Sequence, residues 1–162
     1  MESFGSAHSA LRSTNDGGAM SLATTAAPLA VTRPGRDHTD RGEFRARELS
    51  ATTLLIAAVG EVDASNSGDM LGYVEHNVTG YQQLVIDLSR LTFFGTDGFS
   101  ALHTINVRCS RRGIDWVLVP GPEVARVLRV CDSEGLLTTA GNIVSAVAAL
   151  ARGPHTHLQL AK

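Results

Sequence analysis

Hydrophobic residues recur with two different periods between about residue 42 and residue 152. Continuous apolar runs, such as the one that begins at Leu54, are typical of strands buried on both faces. Apolar residues spaced three or four apart are typical of helices with one buried face. The pattern predicts strands over 44–49, 52–59, 84–88 and 114–119. It predicts helices over about 66–78, 99–113, 123–131 and 142–151.

These elements alternate along the chain after an opening hairpin. Because strands separated by single helices are joined by crossover connections, we expect a mostly parallel central sheet. The segment Gly60-Glu61-Val62-Asp63 is expected to end the second strand. The predicted fold class is therefore α/β, a single domain with about four helices.

The two ends of the chain differ in amino-acid composition from the middle. Residues 1–41 contain few bulky apolar residues, and Ser, Thr, Ala, Gly and Pro fill much of the rest. A segment of this kind cannot bury enough surface to offset its ordering entropy. We expect a disordered arm over 1–41, one domain over 42–152 and a flexible tail over 153–162.

Charge and composition exclude several classes of function. The 14 basic and 16 acidic residues give a formal net charge of −2, so we expect no direct binding to nucleic acid or to an anionic membrane surface. No apolar run approaches the roughly 18 residues that cross a bilayer. The common nucleotide-binding, nucleophile and zinc-protease signatures are absent from the sequence, so we expect no catalytic residues, metal or cofactor. We expect a cytoplasmic regulatory or binding protein.

The two cysteines, Cys109 and Cys131, are too far apart in sequence for a C-x-x-C motif. Each lies on the apolar face of a predicted helix. We interpret them as buried, unreactive thiols, and the alternative is a redox pair.

The segment from Leu91 to Phe99 leads from a predicted strand to the start of a predicted helix. A helix N-terminus offers unpaired N–H groups and a partial positive charge, which favour an anion such as a phosphate on the Thr96 hydroxyl. The alternative from local chemistry alone is that Thr96 or Asp97 caps the helix.

The order of the elements, together with three motifs, resembles the STAS domain of bacterial anti-anti-sigma factors, also called anti-sigma factor antagonists. The motifs are Gly60-Glu61-Val62-Asp63, Leu84-Val85-Ile86-Asp87-Leu88-Ser89 and Phe93-Phe94-Gly95-Thr96-Asp97-Gly98-Phe99. The resemblance covers about residues 43–151. It implies a protein that binds a kinase-type anti-sigma factor and thereby releases a sigma factor for transcription.

In that family the loop reads Asp-Ser-(Ser, Thr or Ala)-Gly-Leu, and its first Ser is phosphorylated by the anti-sigma factor. With Gly98 on the family glycine, the resemblance implies that Thr96 is the phosphoacceptor. Gly95 replaces the family Asp, Asp97 takes the small-residue position, and Asp63 matches the family acid. The residues implied in partner binding are Asp63, Gly95, Thr96, Asp97, Gly98 and Phe99.

Two alternatives remain open for regulation and function. Because Asp97 adds a fixed negative charge and Gly95 lacks the family carboxylate, we expect binding to an anti-sigma factor with weak or absent phosphorylation of Thr96. The alternative function is a sensor or scaffold module that binds a nucleotide or another small ligand without kinase regulation. We expect a monomer or a weak dimer in either case.

Overall fold

A computed structural model of the chain describes residues 41–153, and these residues form four strands and four helices. The predicted arm and tail lie outside the described residues except for Arg41 and Gly153. Arg41 forms an isolated parallel bridge with Glu61 of the second strand. The disorder expected for the two end segments stays a prediction.

The four described strands form one sheet in the order β1-β2-β3-β4. Strands β1 (Glu43–Ser50) and β2 (Thr53–Val62) form the antiparallel hairpin. Strand β3 (Gln83–Phe94) lies parallel to β2, and β4 (Asp115–Pro120) lies parallel to β3. The predicted mostly parallel sheet with an opening hairpin is confirmed.

The four described helices are α1 (Ser67–Val78), α2 (Thr96–Arg112), α3 (Pro122–Cys131) and α4 (Ile143–Ala151). Helix α1 connects β2 to β3, and α2 connects β3 to β4, as the alternation of elements predicted.

The sheet carries apolar side chains on both faces. Helices α1 and α2 cover the larger cluster, which includes Ile56, Ile86 and Leu118 from the strands and Leu102 from α2. Helix α4 covers a smaller cluster on the strands, whose members from the sheet are Leu55, Val85, Val117 and Val119. This two-sided burial explains the continuous apolar runs of the central strands.

The expected break at Gly60-Glu61-Val62-Asp63 is wrong in its position. Strand β2 continues to Val62, which pairs with Phe94, and β3 extends well beyond Leu88. Gly60 has a φ of 92°, and the register between β2 and β3 shifts between Gly60 and Glu61. The glycine therefore marks a bulge inside the strand, where its positive φ is needed, and does not mark the end of the strand. As a result, β2 and β3 end together.

Candidate functional site

The candidate site is the junction between β3 and α2. Strand β3 ends at the buried Phe94, and one residue, Gly95, separates it from Thr96, the first residue of α2. The N–H of Gly95 donates to the carbonyl oxygen of Val62 at 2.9 Å, and its own carbonyl accepts from the N–H of Gly98 at 3.0 Å. The junction is thus fixed to the neighbouring strand on one side and to the helix on the other.

Thr96 and Asp97 are both exposed in the first turn of α2. The N-cap residue is Gly95, and no side chain forms a capping hydrogen bond there. The local alternative that Thr96 or Asp97 caps the helix is therefore wrong. Within residues 41–153, neither the Thr96 hydroxyl nor its N–H has a hydrogen-bond partner. The hydroxyl is available to form a hydrogen bond with another molecule.

The turn after β2 brings Asp63 next to this junction. A Cβ on Gly95 would lie 3.8 Å from the Cα of Asp63, so the two backbones are neighbours. The Oδ1 atom of Asp63 accepts from the Ser65 hydroxyl at 2.6 Å and from the Ser65 N–H at 2.8 Å. The Ser65 hydroxyl, then its N–H, hold the pKa of the Asp63 carboxyl below 3.8, and the charge of Arg41 adds to the lowering. Asp63 therefore carries a negative charge beside the Thr96 loop.

Asn66 holds the same turn from within, a role that the sequence pattern does not predict. It is 5% exposed, and its amide nitrogen donates to the carbonyl oxygen of Glu61 at 2.8 Å. Its Oδ1 atom accepts from the N–H of Asp63 at 2.9 Å. Although Asn66 is the N-cap residue of α1, its side chain does not cap that helix. Its position between a strand and a helix was the only signal in the sequence.

Two phenylalanines of the loop differ in exposure, and only Phe99 was expected among the partner-binding residues. Phe99 is only partly exposed, packs against the large core cluster and contacts the ring of His103, with 6.5 Å between centroids. Phe93 is 46% exposed, and its Cε1 atom lies 3.5 Å from where a Cβ on Gly95 would be. The apolar side chain available to a partner at this junction is therefore Phe93. Its alternation with Phe94 along β3 was a usable signal.

The structure brings together five of the expected site residues where the neighbouring strands β2 and β3 end. They are Asp63, Gly95, Thr96, Asp97 and Gly98. The described residues contain no group of three or more His, Cys, Asp or Glu side chains that could hold a metal ion. The junction offers the exposed hydroxyl of Thr96, which is followed in sequence by the acidic Asp97, together with Asp63 of the neighbouring turn and the exposed ring of Phe93.

The cysteines lie on two different helices. Cys109 of α2 is buried, and burial raises the pKa of its thiol to about 11. Cys131, the last residue of α3, is partly exposed. The high pKa favours the unreactive thiol form at Cys109, whereas the expected burial of Cys131 is wrong because it lies at the partly exposed end of its helix. The redox pair stays an untested alternative.

Residues 41–153 include no helix that is both long enough and apolar enough to cross a membrane.

Comparison with known proteins identifies the domain. The sequence model of the STAS domain matches residues 45–147. Osmosensory protein A of Mycobacterium tuberculosis is 32% identical over 99 residues, which cover 60% of this chain and 63% of that protein. Anti-sigma-F factor antagonist RsfA of the same species is 31% identical over 102 residues, which cover 60% of this chain and 80% of that protein. The match thus spans less than two thirds of osmosensory protein A.

Solved structures have the same fold. The crystal structure of an anti-sigma factor antagonist from Mycobacterium paratuberculosis superposes with a TM-score of 0.61 at 18% identity, and covers 70% of this chain and 97% of that one. The anti-sigma factor antagonist SpoIIAA in its unphosphorylated form gives a TM-score of 0.57 at 15% identity, and covers 68% and 97%. At these identities the likeness concerns the fold.

Proposed function

Because the chain belongs to the STAS domain family, we propose that it is an anti-sigma factor antagonist, which binds an anti-sigma factor and so releases a sigma factor for transcription. Relatives that are named anti-sigma factor antagonists, in sequence and in structure, support this function. The proposed activity is regulatory and not enzymatic, and it takes place in the cytoplasm, where sigma factors act.

The observation that carries the proposal is the unpartnered hydroxyl of Thr96 at the β3–α2 junction. The resemblance to the family implies that Thr96 is the phosphoacceptor, and the exposed ring of Phe93 lies beside the preceding residue, Gly95. A rigid backbone with an exposed aromatic side chain suits protein recognition, since aromatic residues are enriched among the contacts that dominate binding energy. We propose that the anti-sigma factor contacts this surface.

A binding experiment tests the function. The full chain is immobilised and exposed to each anti-sigma factor of the source organism, with a Thr96→Glu variant in parallel. We expect one of them to be retained by the wild-type chain and lost from the variant. Retention of none would contradict the proposed function. Equal retention by both forms would remove the junction from the interface.

We also propose that phosphorylation of Thr96 is weak or absent. The free N–H groups at the start of α2 favour an added phosphate. Against this, Asp97 adds a like charge, whose repulsion with a phosphate dianion amounts to a few kcal/mol at an effective dielectric constant of about 20. Gly95 also lacks the carboxylate that the family has beside the acceptor.

Mass spectrometry decides this point. The intact chain is weighed after incubation with the cognate anti-sigma factor and Mg-ATP. We expect little or no added phosphate over the time in which binding is complete. Rapid addition of one phosphate, abolished by Thr96→Ala, would restore the ordinary phosphorylation cycle for this protein.

A sensor or scaffold module is the second candidate function. It is favoured by the departures at Gly95 and Asp97 and by the relative that is named osmosensory protein A. A module of this kind would retain no anti-sigma factor in the binding experiment. The same measurement therefore separates the two candidates.

A further inference from the structure

A second group of charged side chains lies at the opposite end of α2 from Thr96. Arg108, Arg111 and Arg112 line a shallow surface cavity of about 320 Å³ together with Glu75 of α1. The distance along α2 from Thr96 to Arg112 is about 24 Å at the usual helical rise per residue. The cavity is therefore separate from the β3–α2 junction, and its use goes beyond the proposed function.

The three arginines share one face of α2. Arg108 precedes Arg111 by three residues and Arg112 by four, a spacing at which side chains are neighbours and like charges destabilise a helix. Arg108 forms an ion pair with Glu75. In the described part of the chain, Arg111 and Arg112 form no ion pair. The cavity therefore has an excess of two positive charges.

The end of α2 does not depend on these arginines for its hydrogen bonds. Gly113 has a φ of 68° and its N–H donates to the carbonyl oxygen of Ser110 at 3.2 Å. The N–H of Ile114 donates to the carbonyl oxygen of Cys109 at 2.9 Å. The backbone thus satisfies these two terminal carbonyl groups, as is usual at a left-handed glycine. Positive side chains also favour a helix C-terminus, but each additional arginine on the same face adds repulsion.

We propose that this cavity binds a diphosphate group, either free or at the end of a larger molecule. Guanidinium groups bind phosphate oxygens through pairs of parallel hydrogen bonds, so Arg111 and Arg112 supply two such forks. Glu75 holds Arg108 beside them. The excess of positive charge in this shallow cavity favours a compact polyanion such as a diphosphate over a neutral ligand.

Titration of the full chain with inorganic pyrophosphate at low salt tests the site. Calorimetry gives the affinity, and amide chemical shifts in NMR give the location. We expect saturable binding that is at least tenfold tighter than binding of inorganic orthophosphate, with the largest shifts at residues 109–113 and at Glu75. Tighter binding of ADP than of pyrophosphate would identify a diphosphate ester as the ligand, and equal affinity would identify the diphosphate alone.

Two variants are expected to change the affinity in opposite directions. The double variant Arg111→Gln, Arg112→Gln should lose saturable binding, while Glu75→Gln should bind pyrophosphate severalfold more tightly, because it removes the negative charge from the cavity. The control is Arg126→Gln, since Arg126 is an exposed arginine of α3 that pairs with Glu123. It should bind as the wild type does. Far-ultraviolet circular dichroism verifies that each variant is folded.

Three results would overturn the proposal. They are no saturable binding of pyrophosphate, equal affinity for orthophosphate and pyrophosphate, and shifts centred on residues 95–98 in place of 109–113. Binding to the anti-sigma factor is measured for the double variant as well. Because the cavity is remote from Thr96, we expect it to be unchanged, so that failure of this site and failure of the proposed function can be distinguished.

Discussion

Gly98 of α2 packs directly against the aromatic ring of Phe94. A Cβ on residue 98 would lie 2.5 Å from the Cε2 atom of Phe94 and 2.7 Å from its Cζ atom, closer than real carbon atoms approach. Phe94 is 4% exposed and closes β3, so its ring has little room to move. Packing therefore requires a glycine at this position of the loop motif. Without a side chain on residue 98, the first turn of α2 can lie directly against the ring of Phe94.

The first prediction concerns this contact. Gly98→Ala should lower the free energy of unfolding by about 1–3 kcal/mol, the usual effect of overpacking a core position. The control is Gly72→Ala in α1, where nothing lies within 4 Å of the added Cβ. That variant should raise the free energy of unfolding by about 0.5–1 kcal/mol, because alanine favours a helix. Urea denaturation measures both, and equal effects of the two substitutions would refute the packing argument.

Asp63 gives a prediction about pH. The pKa of its carboxyl lies below 3.8, because the Ser65 hydroxyl and N–H donate to the charged form. A carboxyl whose pKa is lower in the folded state stabilises the fold above the unfolded pKa, and this contribution is lost as the pH falls through the folded pKa. In an NMR titration, Ser65→Ala should move the midpoint of Asp63 upward, while Ser67→Ala should leave it unchanged. A wild-type midpoint at or above 3.8 would contradict the assignment.

The cysteines give a prediction about reactivity. With a pKa of about 11, only about one Cys109 thiol in 10,000 is ionised at pH 7. A thiol reagent should therefore modify the partly exposed Cys131 first and reach Cys109 only on unfolding or as the pH approaches 11. A Cys131→Ser variant provides the control, since its single thiol should react slowly. Mass analysis after a mild oxidant should find two free thiols in the wild type, and a disulfide between Cys109 and Cys131 would revive the redox pair.

The pattern of apolar residues was sufficient for the fold, because most elements bury a whole face or both faces. It misjudged the region around Gly60, since a glycine at a bulge and a glycine at a strand end look the same until the pairing of Val62 with Phe94 is known. Because β3 continues to Phe94, Phe93 and Phe94 lie on opposite faces of the strand, and Phe93 is the exposed one. Residue spacing also could not predict the hydrogen bonds of Asn66. They form only because the end of β2 and the following turn lie next to this side chain.

Gly95 allows a test of the phosphorylation argument. A Cβ there would lie 3.5 Å from Phe93 and 3.8 Å from Asp63, which is ordinary contact, so the backbone accepts a side chain at this position. Gly95→Asp should increase the rate of Thr96 phosphorylation by the anti-sigma factor at least tenfold, because the restored carboxylate can orient the hydroxyl. It should also stabilise α2 by a few tenths of a kcal/mol as an N-cap.

Gly95→Asn is the matched control for that variant. It has the same size and the same capping ability without the charge, so it should stabilise the helix but leave phosphorylation slow. Intact-mass time courses compare the three forms. Equal rates for Gly95→Asp and Gly95→Asn would show that the missing carboxylate is not what limits the reaction.

Calorimetry with the full chain and its cognate anti-sigma factor shows whether the anti-sigma factor binds at the Thr96 junction. Thr96→Glu adds a charge beside Asp63 and Asp97 and should weaken the complex at least tenfold, since like charges brought together in an interface are strongly unfavourable. Ser110→Glu adds the same charge to an exposed position at the far end of α2 and should change the affinity less than twofold. Wild-type affinity in the Thr96→Glu variant would show that the anti-sigma factor binds elsewhere.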